Sequence, residues 1–300
     1  MDIDGIRTFL SIAKLGGFTL AARELHRSQP AISRRVGLIE QELGTPLLER
    51  VRDGVRLTEA GQAFLPFAEA ALAAITDGRE AVRATKRPEA GDVSLALVGT
   101  LADTQIVEVL RKFSQRSKSS ALDIRTASSQ EVSDLVRRGD VTLGLRYFAD
   151  ARPEIELRVI GEEPMLVVCA RHHRLAKRRV RKADLLRERW IGFPIARDRE
   201  SFGQVLSRQL VKAGLDDVKV TIIDSLTAQK RLVEAGFGIA LVPESSVRGE
   251  LRLGSLAKIN APLMGTSIPI ALIHRRKGHL NSASRLLIDL LCRTTRSRKR

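Results

Sequence analysis

The apolar residues near the start of the chain recur at the spacing of short amphipathic helices. They predict a first helix over residues 3–15, which the glycine pair Gly16–Gly17 ends. A second helix is predicted over 20–25, where the Thr19 hydroxyl can cap the first turn. The pattern therefore indicates two short helices joined by a tight turn.

A third helix is predicted to begin near Ser28, because a serine caps a helix well and Pro30 is tolerated in a first turn. Gly44 ends it. Its inner apolar stripe is formed by Ile32, Val36, Ile39 and Leu43. Residues 47–58 then predict two short strands around Asp53–Gly54, a strong hairpin signal. Three helices followed by a hairpin predict a winged helix-turn-helix, which lays its recognition helix in the DNA major groove.

A long helical stretch follows Thr58 and reaches about Lys86. Its apolar residues step by four, three, four and seven, which is typical of a coiled-coil seam. They are Phe64, Ala68, Ala71, Ile75 and Val82. Pro66 is expected to kink the helix. Because one recognition helix covers too few base pairs for useful specificity, we expect the seam to join two copies of the chain. The alternative is a helix that packs on its own C-terminal domain.

Beyond residue 91 the pattern alternates between strands and helices. The predicted strands are 93–98, 122–125, 141–145, 165–170, 218–223, 239–242 and 268–273, and the predicted helices lie at 106–113, 132–136, 201–212, 225–236 and 286–291. Two successive series of this kind predict two α/β lobes with doubly wound, parallel-rich sheets. Ligands of such sheets bind where strands end and helices begin.

The formal net charge of +16 favours polyanionic partners, but its distribution does not mark the helix-turn-helix. Through Thr58, nine basic residues oppose seven acidic ones, which leaves a net charge of only +2. The larger excess lies in residues 171–189 and in the tail 293–300. The DNA-binding prediction therefore depends on the motif and not on the bulk charge.

Cysteine usage and hydropathy indicate a cytoplasmic protein, associated with the nucleoid through DNA. Cys169 and Cys292 have apolar neighbours, so we expect buried free thiols rather than a disulfide. No apolar run approaches the roughly 18 residues that a membrane helix needs, so no membrane partner is expected. The Met-Asp-Ile-Asp start does not have the pattern of a secretory signal.

Five ordered segments carry a family resemblance. They are Gly-Gly-Phe-Thr-Leu-Ala-Ala-Arg-Glu-Leu at 16–25, Ser-Gln-Pro-Ala-Ile-Ser-Arg at 28–34, Ile-Glu-Gln-Glu-Leu-Gly at 39–44, Arg-Leu-Thr-Glu-Ala-Gly at 56–61 and Val-Glu-Ala-Gly-Phe-Gly-Ile-Ala-Leu-Val-Pro at 233–243. With them the chain resembles the LysR-type transcriptional regulators along nearly its whole length. The resemblance implies a dimerising linker helix, a two-lobe effector domain similar to type 2 periplasmic binding proteins, and a homotetramer that responds to a small metabolite.

The pattern and the resemblance together divide the chain into three parts. They are a winged helix-turn-helix DNA-binding domain at 1–58 with its helix-turn-helix at about 18–37, a linker and dimerisation helix at 59–87, and an effector-binding domain at 88–300. Within this last part the expected lobes are lobe I at about 91–162 and 267–300, and lobe II at about 163–266.

The outer face of the predicted recognition helix carries side chains that can read bases. On a helical wheel Arg34 lies opposite the apolar stripe, so its guanidinium can contact guanine O6 and N7, while Gln29 can pair with adenine. Arg34 and Arg35 can alternatively be solvated charges. The full set expected to contact DNA is Thr19, Ser28, Gln29, Pro30, Ser33, Arg34, Arg35, Arg50, Arg52 and Arg56.

Three arginines of this set, Arg50, Arg52 and Arg56, flank the tip of the predicted hairpin. Arginines at a wing can neutralise phosphates or enter the minor groove. The alternative is that they form surface ion pairs with Glu49 and Asp53. We expect contact with phosphates.

Residues at predicted strand ends are the candidates for binding a small ligand. Thr100, Ser128–Ser129 and Ser225 precede helices, where hydroxyls and amides form anion sites, and Arg146 can pair with a carboxylate. The expected set is Thr100, Ser128, Ser129, Arg146, Phe193, Arg197, Phe202 and Ser225. The hydroxyls can alternatively be simple helix caps, and Phe193 a core residue. Together with the resemblance, this set predicts a small anionic co-inducer and no other cofactor.

Other chemistry finds little support in the sequence. His172–His173 is the one metal-like pair, and adjacent histidines among arginines are typical of a solvated surface. No Gly-x-Ser-x-Gly elbow or metal cluster points to an enzyme. The basic run 171–189 can contact RNA polymerase or DNA. We therefore predict a sequence-specific transcriptional regulator whose DNA binding is controlled by a metabolite between two lobes. The alternative is a small-molecule solute-binding protein without a regulatory role.

Overall fold

The computed structural model describes residues 1–86, 91–176, 178–196 and 200–296. It begins with three helices and a two-stranded wing: α1 (Ile3–Leu15), α2 (Phe18–Glu24), α3 (Gln29–Leu43), β1 (Leu48–Val51) and β2 (Gly54–Leu57). The predicted winged helix-turn-helix is confirmed. The predicted Thr19 cap is wrong, because α2 starts earlier and its N-cap is Gly17, which leaves Thr19 exposed in the first turn.

The core of this domain lies between α1 and the inner face of α3. Ile32, Val36 and Ile39 are each at most 2% exposed, as predicted. Leu43 is 41% exposed, so the predicted stripe ends one turn early. The chain turns back after Gly44, and Leu47 is buried in the adjoining core.

A single long helix, α4 (Glu59–Lys86), connects the two halves of the protein and continues through Pro66. Its first half packs on the winged domain, where the Phe64 and Phe9 ring centroids are 5.2 Å apart and Ala68 is buried. Its middle packs on the C-terminal domain, where Ala73 is buried. Part of the predicted coiled-coil seam is therefore used within the chain. The kink at Pro66 stays a prediction.

The C-terminal half alternates strands and helices. Its strands are β3 (Val93–Leu97), β4 (Leu122–Thr126), β5 (Leu143–Tyr147), β6 (Ile155–Ala170), β7 (Trp190–Gly192), β8 (Val220–Ile222), β9 (Ile239–Pro243), β10 (Leu256–Lys258) and β11 (Thr266–Arg275). Its helices are α5 (Ile106–Arg116), α6 (Ser129–Arg138), α7 (Lys182–Leu186), α8 (Phe202–Lys212), α9 (Leu226–Glu234), α10 (Arg248–Leu253) and α11 (Ser282–Arg296). Short 3-10 turns at Gly99–Asp103 and Ser245–Val247 follow β3 and β9.

The strands form one continuous sheet in the order β4-β3-β5-β11-β6-β9-β7-β8, with β10 also paired to β6. In lobe I, β3 runs parallel to β4 and β5; in lobe II, β7 runs parallel to β8 and β9. The antiparallel strands β6 and β11 run between the lobes, and β6 changes its partner from β11 to β9 at Met165. The predicted two-lobe α/β architecture is confirmed.

The first half of β6 was not predicted from the sequence. Its alternating pattern is interrupted by Gly161 and Pro164, and a register shift opposite Ile270–Ala271 breaks the period of two. Cys169 and Cys292 are both buried, as expected. Across the described ranges, no helix is both long enough and apolar enough to cross a bilayer.

Candidate DNA interface and effector cleft

The exposed face of α3 brings together the residues predicted to read bases. Gln29, Pro30 and Arg34 are exposed, Ser33 is half-buried, and a side chain at Gly37 would meet no neighbour within 4 Å. Within residues 1–86 Arg34 forms no ion pair. Its guanidinium is therefore available to a partner that approaches α3 from solvent.

Arg35 has a different environment from its neighbour. Its Nη1 lies 3.5 Å from Asp2 Oδ2 and 3.3 Å from Asp4 Oδ2, so it joins α3 to the start of α1. An exposed pair of this kind stabilises a fold by at most about 1 kcal/mol. The geometry thus favours a structural role for Arg35, and a contact with DNA requires it to leave these carboxylates.

The wing is held against the helices by its tip. Val55 N–H donates to the Gly16 carbonyl at 2.9 Å, and Gly54 has a φ of 134°. A Cβ on Gly54 would collide with the Gly16 carbonyl oxygen, so only glycine fits there. The wing position is consequently fixed relative to the turn between α1 and α2.

The wing arginines Arg50, Arg52 and Arg56 are exposed, and none forms an ion pair with an acidic residue in the described part of the chain. The Arg50 guanidinium carbon lies 5.5 Å from the centroid of the Phe18 ring, a cation–π arrangement that holds it toward α2. The predicted alternative, ion pairing with Glu49 and Asp53, is not observed. All three cations face solvent.

Glu40 has a positioning role that the sequence reading missed. Its Oε1 accepts hydrogen bonds from Leu47 N–H at 2.7 Å and Leu48 N–H at 3.1 Å. The end of α3 is thereby tied to the first strand of the wing. In the sequence Glu40 looks like an ordinary polar helix residue, because its partners follow only after a turn.

The cleft between the lobes is closed by aromatic rings. The Phe202 ring of lobe II lies 5.4 Å from Tyr147 and 5.4 Å from Phe148 of lobe I, and 5.3 Å from Phe193. The two predicted aromatic residues, Phe193 and Phe202, therefore meet at the junction. Arg197 lies outside the described residues.

A polar layer lies beside these rings and joins both lobes through β6. The Thr100 hydroxyl donates to the Tyr147 phenol oxygen at 3.1 Å, and burial raises the pKa of Tyr147 to about 12. Glu163 of β6 is 2% exposed and accepts a hydrogen bond from Ser245 N–H at 2.7 Å. Thr100 was predicted, whereas Tyr147, Glu163 and Ser245 were not, because they come from distant segments.

The predicted hydroxyls at helix starts act mainly as caps. Ser128 Oγ accepts from Glu131 N–H at 3.3 Å and Ser225 Oγ accepts from Ala228 N–H at 3.4 Å. Ser129 Oγ instead accepts from Tyr147 N–H at 3.3 Å, so it joins α6 to the end of β5. These contacts favour the structural alternative for Ser128 and Ser225.

The structure places Arg146 in a buried ion pair, which favours a structural role over the predicted contact with a ligand carboxylate. Its side chain is 4% exposed, and Nη1 donates to Ser133 Oγ and Asp150 Oδ2, both at 2.6 Å. Burial alone would raise the pKa of Asp150, but hydrogen bonds from Arg152 and Ser133 outweigh it and lower the pKa to about 2. Arg152 also bonds Asp134 at 2.5 Å. Arg146 thus belongs to a buried network that holds α6 to lobe I.

A cavity of about 500 Å³ lies where the two lobes meet. Its lining residues are Asp103, Lys230, Ser245, Ser246, Arg248, Gly249, Glu250 and Arg252. Arg248 Nη1 donates to the Asp103 carbonyl of lobe I at 3.3 Å, and Lys230 Nζ lies 2.6 Å from Glu250 Oε1. The sequence pattern does not predict this cavity, because its wall is assembled from three separate segments, at Asp103, at Lys230 and at 245–252.

The two adjacent histidines have different surroundings. His173 Nε2 lies 3.2 Å from Glu188 Oε2, and His172 is exposed. The described parts of the chain contain no group of three or more side chains that could hold a metal ion.

Comparison with known proteins completes this picture. A family model described as "Bacterial regulatory helix-turn-helix protein, lysR family" matches residues 3–62, and one for the "LysR substrate binding domain" matches residues 86–296. The HTH-type transcriptional regulator TfdS of Cupriavidus pinatubonensis is 30% identical over 82% of this chain and 83% of its own. The HTH-type transcriptional regulator ClcR of Pseudomonas putida is 27% identical over 97% of this chain and 98% of its own length.

Solved structures agree with these matches along the whole chain. The crystal structure of CbnR, a LysR family transcriptional regulator, gives a TM-score of 0.69 at 25% identity, over 98% of this chain and 99% of that one. Full-length OxyR from Pseudomonas aeruginosa shares the fold, with a TM-score of 0.71 at 20% identity over 99% of this chain and 95% of that one. The relatives of this chain are transcriptional regulators and not enzymes or plain solute-binding proteins. This chain belongs to the LysR family of DNA-binding transcriptional regulators with an effector-binding domain.

Proposed function

We propose that this regulator reads a pseudo-palindromic operator with the exposed face of α3 and clamps the flanking phosphates with its wing. The observation that carries the proposal is the contrast between Arg34, exposed and outside every ion pair in residues 1–86, and Arg35, held by two aspartates. Arg34 reads guanine, and Gln29 reads adenine one turn earlier. Arg50, Arg52 and Arg56 contact the phosphates of the DNA backbone. The proposed place of action is the nucleoid in the cytoplasm.

Selection of bound duplexes from a randomised library tests this function directly. The expected outcome is enrichment of one motif with two-fold symmetry, because paired recognition helices read paired half-sites. An Arg34→Ala variant should lose the preference for the enriched motif over random DNA. A wild-type protein that enriches no motif would overturn the proposal.

The effector, in this proposal, is a small anionic metabolite that binds at the junction of the lobes. Three basic side chains, Lys230, Arg248 and Arg252, oppose two acidic ones in the cavity wall, which leaves a positive excess. A carboxylate placed there can pair with the guanidinium of Arg248, which also donates to the Asp103 carbonyl of lobe I. Thr100, Phe193 and Phe202, at the aromatic junction of the lobes, are further proposed contacts, and Arg197 stays a predicted contact.

A thermal-shift screen of small carboxylates on the full-length protein tests the effector class. A binding carboxylate should raise the unfolding temperature, and Arg248→Ala should reduce that rise. Arg111→Ala, an exposed arginine on α5 of lobe I, serves as the control and should leave the rise unchanged. If neutral solutes stabilise the protein and carboxylates do not, the anionic class is wrong.

The regulator is proposed to dimerise through the face of α4 that its own chain leaves open. This face carries an exposed aromatic residue and small or apolar residues at intervals of four, seven, four and four: Ala63, Phe67, Ala74, Gly78 and Val82. Phe67 is 73% exposed and Val82 is 63% exposed. The predicted seam was offset from this face, since Phe64, Ala68 and Ala71 pack within the chain. A homotetramer of two such dimers, as the family resemblance implies, remains part of the proposal.

Helix α6 is the proposed route from the effector to the DNA-binding domain. At its first turn Ser129 bonds the backbone of Tyr147 beside the cleft, and at its last turn Arg137 pairs with Glu69 of α4. A second pair, Arg275 with Asp77, fastens α4 to the same lobe at 2.6 Å. A ligand that moves α6 consequently moves the helix that carries the recognition domain.

The proposed domain boundaries are 1–58, 59–87 and 88–300, and the junction at 87–88 lies outside the described residues.

A further inference from the structure

A strong excess of positive charge lies on lobe II and not on the DNA-binding domain. Residues 171–189, here called the basic segment, contain nine basic residues and two acidic ones. Their net charge of +7 compares with +2 for the first 58 residues. Neither the recognition helix nor the effector cavity makes use of this charge.

The basic segment is held on a fixed support. Leu175, Val180 and Leu185 are at most 6% exposed and belong to the main core beneath it. The Val180 N–H donates to the Asn260 carbonyl at 3.0 Å, and Asn260 N–H donates to the Arg178 carbonyl at 3.2 Å. The core and this backbone pairing therefore fix the backbone of the described residues that carry the cations.

The acidic residues of the segment are already engaged. Glu188 pairs with Arg174 at 2.5 Å and with His173, and the Asp184 carboxylate accepts from Arg181 N–H at 2.9 Å. Lys177 lies outside the described residues, and the seven other basic side chains are exposed and form no ion pair within the described parts of the chain. They are Arg171, Arg178, Arg179, Arg181, Lys182, Arg187 and Arg189.

The chemistry of this surface favours a polyanion over a protein partner. Stable protein interfaces are centred on buried aromatic or aliphatic anchors, and the segment exposes one large apolar side chain, Leu186, at 42%. Phosphate contacts instead depend on arginine and lysine, with guanidinium groups suited to two oxygens at once. Double-stranded DNA is the polyanion that this family of regulators already holds near the protein.

We propose that the basic segment binds the sugar-phosphate backbone of double-stranded DNA outside the operator, independently of its sequence. Each phosphate contact releases counterions, so the affinity gained from this surface decreases as salt rises. A duplex that extends beyond the operator should bind more tightly than the operator alone, and with a steeper salt dependence. The inference assumes operator binding by α3, but it concerns a separate surface.

Two matched triple variants test this inference in the full-length protein. The first is Arg178→Gln, Arg179→Gln and Arg187→Gln on lobe II; the second is Lys112→Gln, Arg116→Gln and Lys118→Gln on the exposed surface of lobe I. Both remove three positive charges, so any effect of net charge alone is shared. Affinity is measured by fluorescence anisotropy at several salt concentrations, on the selected operator and on the same operator extended by several helical turns.

The lobe II variant should bind the short operator like the wild type but lose roughly tenfold or more in affinity for the extended duplex. Its salt slope on that duplex should fall by about 3, close to 0.9 per lost phosphate contact. The lobe I variant should change neither value. Equal losses in both variants, or no loss in the first, would overturn the inference.

A further outcome would assign the surface to RNA polymerase instead. In that case the lobe II variant binds both duplexes like the wild type but fails to change transcription in a purified system, which also contradicts the inference. If the wild-type protein does not bind the short operator, that result counts against operator reading by α3 and not against this surface.

Discussion

Glu69 of the linker helix and Arg137 of α6 form an ion pair in which the carboxylate side chain is 7% exposed and the guanidinium 20% exposed. The pair lies between the helix that carries the DNA-binding domain and the helix that starts at the effector cleft. Because it is shielded from water, its loss has consequences both for stability and for communication between the domains.

Removing one member of this pair should destabilise the protein more than removing both. Arg137→Ala leaves the Glu69 carboxylate shielded and unpaired, which costs about 3 kcal/mol in the free energy of unfolding. The double variant Glu69→Ala, Arg137→Ala should recover part of that loss. Denaturant unfolding measures these values, and a double variant that is as unstable as the sum of the singles would rule out direct coupling.

Arg34→Ala should abolish discrimination at one position of the operator. A bidentate contact with guanine contributes about 1–3 kcal/mol of discrimination against the wrong base. Arg52→Ala should instead weaken binding to operator and random duplexes by similar factors, because it removes a phosphate contact. Titration of both variants on matched and mismatched duplexes distinguishes the two roles, and equal losses of Arg34→Ala on all duplexes would contradict base reading.

Phe67→Asp should break the proposed dimer without unfolding the chain. Phe67 is 73% exposed in the single chain, so a charge there is tolerated by the monomer but not inside a helix pair. Sedimentation velocity should show a smaller species with weaker operator binding. Leu253→Asp, at a site that is 80% exposed on α10, is the matched control and should leave the assembly intact.

The buried network around Asp150 should make stability depend on acid pH. Its pKa of about 2 lies below the ordinary value of 3.8, so its contribution is complete above about pH 4 and is lost as pH falls toward 2. A shift of this size corresponds to about 2 kcal/mol. The difference in unfolding free energy between wild type and Asp150→Asn should therefore shrink between pH 4 and pH 2. A difference that stays constant over this range would show that the carboxylate keeps its ordinary pKa.

Local sequence signals are sufficient to predict the winged domain and the alternation of strands and helices. Ile32, Val36 and Ile39 recur at helical spacing, and Gly44 stops the helix that they define, so residues within a few positions decide the structure. The Asp53–Gly54 turn is equally local. Such features are predictable because their partners lie in the same short segment.

Features that depend on distant partners were missed or misassigned. The position of Arg146 at a strand end predicts a side chain open to ligands, but in the folded protein Asp150 neutralises its charge and Ser133 accepts a hydrogen bond from it. The period of apolar residues on α4 predicts a seam between two chains, but Phe64 and Ala68 pack against the winged domain of the same chain. In each case a helical or strand period indicates that a face is buried without indicating what covers it.

The two strands that join the lobes, β6 and β11, also constrain the order in which the lobes can fold during synthesis. β11 pairs with β5 and β6 of lobe I, yet the ribosome makes it only after all of lobe II has been synthesised. The sheet of lobe I therefore keeps an open edge throughout the synthesis of lobe II, while lobe II already has β7, β8 and β9. Lobe II can close first, and the final residues of the chain then finish the older lobe.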